Sequence, residues 1–139
     1  MNSDRFFMDT AFVLALLNSK DAFHKSAKEF FFWIRSAQEV WLHDGILIEV
    51  ANGMSDKNRL AAADFIDRAY KTGNTKVVPL NRKLLKRAVK IYRERQDKEW
   101  GLTDCISFIV MQDQGLTDAL TNDHHFQQAG FKVLLKDNK

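Results

Sequence analysis

Hydrophobic and polar positions alternate between two periods along this chain. Short apolar blocks of strand length separate longer blocks whose apolar residues recur at the three- and four-residue spacing of an amphipathic helix. Residues 5–8 read as a strand that ends at Asp9, and 10–17 as a short apolar helix. Residues 22–37 carry aromatics at 23 and 30–33 and charges at 25, 28, 29 and 35, which predicts an amphipathic helix. A short strand is expected over 40–43, then a helix to Met54 with Asp44 as its N-cap. The alanine-rich stretch 58–72 predicts a helix stopped by Gly73.

The second half repeats the pattern. Residues 76–80 form a β-branched strand containing Pro79, the only proline. Residues 82–95 place Leu84, Leu85, Ala88, Val89 and Tyr92 on one helical face. A helix over 104–114, capped by Thr103 and stopped by Gly115, comes next. Last come a strand over 119–121, a short helix over 123–129 ending at Gly130, and a strand over 133–135. Five short strands separated by helices predict an α/β fold: a three-layer α/β/α sandwich on a mostly parallel sheet. With 139 residues and no linker, repeat or low-complexity segment, residues 1–139 are expected to form one domain.

Composition narrows the chemistry. One cysteine, Cys105, excludes an internal disulfide framework and a cysteine-based zinc cluster. The longest uncharged apolar run near the N-terminus, residues 11–17, is too short to cross a bilayer, so a cytoplasmic protein without membrane association is expected. The net charge of +3 is too mild to identify a nucleic-acid binder, but it is unevenly spread. Residues 82–99 hold eight basic and three acidic side chains, a local +5, which leaves −2 for the rest. On that helix Arg82, Lys83, Lys86, Arg87, Lys90 and Arg93 form either a solvated face or a track for phosphate groups.

In open α/β sheets, ligands bind at the carboxyl ends of strands. Asp9 follows the first strand, Asp123 follows the fourth, and Asp104 opens a helix. Glu49 lies in an apolar helix, with Gly45, Asn52 and Gly53 on its face leaving room for an approaching group. Singly, each acid reads as a cap, a turn residue or a solvent-facing charge. Jointly they predict a carboxylate cluster, which a divalent cation would neutralise. Such oxygen donors suit Mg²⁺ or Mn²⁺, and a site of that kind serves phosphodiester hydrolysis. Asp113, nine residues beyond Asp104, faces away from it, about 180° round the helix. Asp118 precedes its strand at the other end of the sheet. His124 and His125 are adjacent on one short helix, so their side chains point about 100° apart and are not expected to share a metal. Cys105 reads as a small buried residue beside the site.

Four segments occur in order: Phe7-Met8-Asp9-Thr10-Ala11-Phe12, Leu47-Ile48-Glu49-Val50-Ala51-Asn52, Leu102-Thr103-Asp104-Cys105-Ile106-Ser107-Phe108 and Ala119-Leu120-Thr121-Asn122-Asp123-His124-His125-Phe126. Together they resemble the four acidic motifs of the PIN domain family, in particular small single-domain bacterial members of the VapC toxin type. The Gln128-Ala129-Gly130-Phe131 ending is similar as well. The resemblance implies an α/β/α fold and a metal-dependent endoribonuclease. Its acids would be Asp9, Glu49, Asp104 and Asp123, with Asp9, Asp104 and Asp123 on the Mg²⁺ or Mn²⁺ ion. Thr10 and Thr121 match supporting hydroxyl positions, and Asn52 falls within the second motif. His124 departs from the pattern, since many relatives carry arginine there. The implied partners are an RNA substrate, an antitoxin protein and a second copy of the chain, for which the aromatic helix over 22–37 is a candidate surface. Two other readings fit the residues: a nuclease of RNA maturation or decay without an antitoxin, and a non-catalytic RNA- or partner-binding module.

Overall fold

The computed structural model describes residues 4–135. The elements run β1 (Arg5–Met8), α1 (Thr10–Leu17), α2 (His24–Ile34), β2 (Glu39–His43), α3 (Asp44–Met54), α4 (Arg59–Lys71), β3 (Thr75–Val78), α5 (Arg82–Glu94), α6 (Leu102–Gln114), β4 (Asp118–Leu120), α7 (His124–Gln128) and β5 (Lys132–Val133). All four strand pairings are parallel, and the sheet order is β3-β2-β1-β4-β5. The expectation of a mostly parallel sheet is thus met by a fully parallel one.

Strand order dictates where the helices go. Right-handed crossovers from β1 to β2 to β3 lay α1–α4 over one face. The return from β3 to β4 and on to β5 runs the other way, so α5–α7 cover the opposite face. The central strand is therefore covered twice, and Phe6, Phe7 and Met8 are all buried. Phe7 pairs with Trp41 on one side and with Ala119 on the other. On the α6 face Phe108 meets Trp100 and Phe126 edge-on, at ring-centroid separations of 4.9 and 5.0 Å.

Local chemistry sets the ends of the elements. Asn58 and Asn81 cap α4 and α5 by accepting the amides of Ala61 and Leu84. Gly115 closes α6 in the left-handed region at φ 66°, where a residue without Cβ is favoured. Two capping expectations are corrected. Asp44 is the first residue of α3, not its cap, because its carboxylate is engaged elsewhere: it accepts the Tyr70 hydroxyl at 2.6 Å and the Leu80 amide at 3.1 Å. Thr103 lies inside α6, whose cap is Gly101; the first-turn carboxylate of Asp104 reaches back to the Gly101 amide at 3.2 Å. The aromatic stripe of α2 also divides. Phe23 packs against the core, whereas Phe32 is 68% and Trp33 53% exposed.

Candidate metal centre at the strand switch

Strand order reverses between β1 and β4, so the chain leaves these two neighbours in opposite directions and opens a crevice at their carboxyl ends. Asp9 stands at that point, its amide bonded to the Leu120 carbonyl. Its side chain is buried and accepts the Thr121 hydroxyl at 2.8 Å. The same hydroxyl accepts the Asp123 amide at 3.1 Å, so Thr121 links two acids 114 positions apart in the chain. Asp123 caps α7 through the His125 amide at 2.9 Å. Asp104 enters from α6 and accepts the His125 ring Nδ1–H at 3.0 Å.

The titration of these acids follows from this placement. Burial above all, with the charges of Asp104 and Asp123, pushes the Asp9 carboxyl up to about 7 against the opposing hydrogen bonds of Thr121 and the Thr10 amide. The Asp104 carboxyl is also held above its ordinary value, first by burial and then by Asp123, although the bond from His125 works the other way. Glu49 lies on the exposed side of α3 and joins the group through the Thr10 hydroxyl, which donates to its Oε1 at 2.7 Å. Asn52 is exposed, and beyond the helix ladder its backbone carbonyl accepts the Ser55 amide and hydroxyl. No bond ties its amide group to the acids.

The space read beside Glu49 is not open. A Cβ on Gly45 would come within 2.9 Å of the His43 ring, and one on Gly53 within 3.0 Å of Leu14. These glycines make room for the protein's own side chains. His43 is fully buried, and its Nε2 pairs with the Ser107 hydroxyl at 2.9 Å. Its Nδ1 has no partner, and burial lowers its pKa to about 4, so the ring is neutral. Sequence reasoning passed over this histidine, although it ends β2 directly beside the end of β1.

The two histidines after Asp123 also differ from expectation. One ligand atom from each of Asp123, His124 and His125 lies within 4.8 Å of the others, and the two rings are 4.6 Å apart. Helical phase does not keep the rings apart: both lie in the first turn of α7, and their Nδ1 atoms are 3.8 and 3.4 Å from the same oxygen of the cap residue Asp123. Asp113 does face away, into a two-pronged pair with Arg87 at 2.7 and 2.9 Å. Arg87 is thereby engaged, while Arg82, Lys83, Lys86, Lys90 and Arg93 stand exposed on the same helix. Cys105 is fully buried, and burial raises its thiol pKa.

The PIN domain family model matches residues 6–132. The chain belongs to the PIN domain family. Among solved structures, this PIN domain is similar to Mycobacterium tuberculosis VapC20, described as a sarcin-ricin loop cleaving toxin. The TM-score is 0.83 at 26% identity, over 94% of this chain and 99% of that one. It shares its fold with FitAcB from Neisseria gonorrhoeae (TM-score 0.63, 14% identity, 93% of this chain and 96% of that one). It also shares it with VapBC2 from Rickettsia felis, bound to a promoter DNA fragment (TM-score 0.66, 12% identity, 94% and 97%). No curated protein sequence matches it. No helix among the described residues is long and apolar enough to cross a membrane.

Proposed function

We propose that this PIN domain is a divalent-metal-dependent endoribonuclease, acting in the cytoplasm as the toxin of a type II toxin–antitoxin pair. The observation that carries the reading is the meeting of Asp9, Asp104 and Asp123 at the strand switch, with the Asp9 carboxyl pushed up to about 7. Among the described residues no lysine or arginine pairs with these acids; the His124 and His125 rings lie against Asp104 and Asp123. An uncompensated oxygen-rich donor set fits Mg²⁺ or Mn²⁺. When bound, such an ion supplies an activated water and a counter-charge for the phosphodiester oxygens.

The chain's own residues do the rest. Asp9, Asp104 and Asp123 hold the ion. Thr121 orients the Asp9 and Asp123 ends, and Thr10 holds Glu49 where it completes the shell or positions the attacking water. The exposed cations of α5 bind backbone phosphates, which gives affinity and placement rather than sequence choice. Likeness to a toxin that cleaves the sarcin-ricin loop supports RNA as the substrate class. The antitoxin is assigned to the apolar groove of about 580 Å³ beneath α2 and α4, lined by Leu16, Leu17, Phe31, Ile34 and Phe65 with Arg35 and Arg68.

The test is an RNA cleavage assay with Mn²⁺. Wild type should cleave, and EDTA should abolish cleavage. Asp104→Asn should lose about 100-fold or more, the upper end of what partners of a metal site contribute. Equal cleavage by both proteins, or cleavage that survives chelation, overturns the assignment. Calorimetry with Mn²⁺ separates the enzyme from a non-catalytic module, which would show no carboxylate-dependent binding.

A further inference from the structure

The acids at the strand switch are not purely an oxygen site. His125 Nδ1 lies 3.0 Å from Asp104 Oδ2 and 3.4 Å from Asp123 Oδ1. His124 Nδ1 lies 3.8 Å from the same Asp123 oxygen. In a four-coordinate site with bonds of 2.0–2.2 Å to nitrogen and oxygen, neighbouring donor atoms stand about 3.3 Å apart. The two ring nitrogens, 3.4 and 3.8 Å from the same Asp123 oxygen, stand close to that value. The His124 side chain is 69% exposed, so its ring can close the remaining gap without disturbing the core. The Asp123 carboxylate is already oriented, because its Oδ1 accepts the His125 amide at 2.9 Å.

We infer that Asp123, His124 and His125, whose donor atoms lie within 4.8 Å of one another, form a second, nitrogen-containing site for a borderline divalent cation of the Zn²⁺ and Co²⁺ class, with water as the remaining ligand. Imidazole donors favour these ions, whereas Mg²⁺ prefers oxygen and keeps its water. The site shares Asp123 with the hard-metal centre proposed above, on which this inference rests for its consequence. A Zn²⁺-class ion seated there takes Asp123 away from Asp9 and occupies the His125 Nδ1 that bonds Asp104. Such ions therefore compete with Mg²⁺ and shut the hydrolytic centre.

The test is binding, measured without RNA. Wild type and His124→Ala are titrated with Zn²⁺ and with Mg²⁺ by calorimetry, and with Co²⁺ by visible absorption. Because His124 is exposed, the variant should keep its fold, which circular dichroism checks. Wild type should bind one equivalent of Co²⁺ with the intense visible bands of a four-coordinate complex. His124→Ala should lose about tenfold or more in Zn²⁺ affinity, the scale on which metal-site partners act, and keep its Mg²⁺ affinity within about twofold. Equal Zn²⁺ affinity in both proteins overturns the site, as does a Co²⁺ complex with only weak six-coordinate bands. If RNA cleavage fails while these titrations succeed, the nuclease reading falls and the nitrogen site stands.

Discussion

At the scale of single residues, two buried titratable groups set opposite pH dependences. Asp9 has a folded pKa of about 7 against an ordinary 3.8. Its folded form holds the proton more tightly, so its contribution favours folding at low pH and is lost as pH rises from 3.8 through 7. His43 has a folded pKa of about 4 against 6.5. Its contribution is present above 6.5 and is lost as pH falls toward 4. The two slopes oppose each other between pH 4 and 6.5, so wild-type stability alone reveals neither. The difference between Asp9→Asn and wild type isolates one of them. In EDTA the variant should gain on wild type as pH rises from 4 to 8, by on the order of 4 kcal/mol at the top. Saturating Mn²⁺ should reverse the ranking at pH 8. Urea unfolding across pH measures both effects. A second expectation concerns Gly45. Its missing Cβ leaves room for the His43 ring, which Ser107 holds in place. Gly45→Ala should lower the denaturation midpoint, because overpacking costs about 1–3 kcal/mol and helix propensity returns at most about 1. At this scale Asp9 and Asp123 were legible because they follow strands, and Asp104 because it opens a helix. His43 was not, because nothing in a one-dimensional pattern shows that its ring turns inward.

At the scale of elements, the helical and strand periods located every element to within a few residues. What they missed was the assignment of side chains at the ends. Asp44 looks like a cap from its position, yet Tyr70 and the Leu80 amide claim it from 26 and 36 residues away. Such long-range partners leave no local signature. The basic helix α5 shows the same limit: its charge run is evident in the sequence, but the pairing of Arg87 with Asp113 is visible only once α5 lies against α6. This division predicts different phenotypes for neighbouring cations. Lys86→Ala should weaken RNA binding and reduce the slope of affinity against salt by about one unit or slightly less. Arg87→Ala should change that slope little and cost about 0–1 kcal/mol of stability, as an exposed pair does. Fluorescence anisotropy over a salt series reads the first effect, and thermal unfolding reads the second.

At the scale of the whole molecule, five strands and a single reversal of strand order place three acids from distant parts of the chain in one crevice. That arrangement follows from right-handed crossovers, and the sequence carried it through the order of its elements. The outer surface was harder to read. Residues 22–37 show aromatic spacing, but not that Phe32 and Trp33 end up facing solvent. We propose a second copy of this chain as the partner of the exposed aromatic face on α2. Replacing both residues with serine should shift the light-scattering mass toward the monomer without lowering the thermal midpoint. A wild-type protein that stays monomeric at high concentration overturns the dimer.

The bond from Thr121 to Asp9 spans 112 positions. During synthesis the first acid emerges long before the third, and β1 waits for β4 to arrive beside it. Until then Asp9 has neither its hydroxyl partner nor its neighbouring charges. The site therefore has a date of birth: it comes into being only once the segment carrying Thr121 and Asp123 has left the ribosome and β4 has docked beside β1.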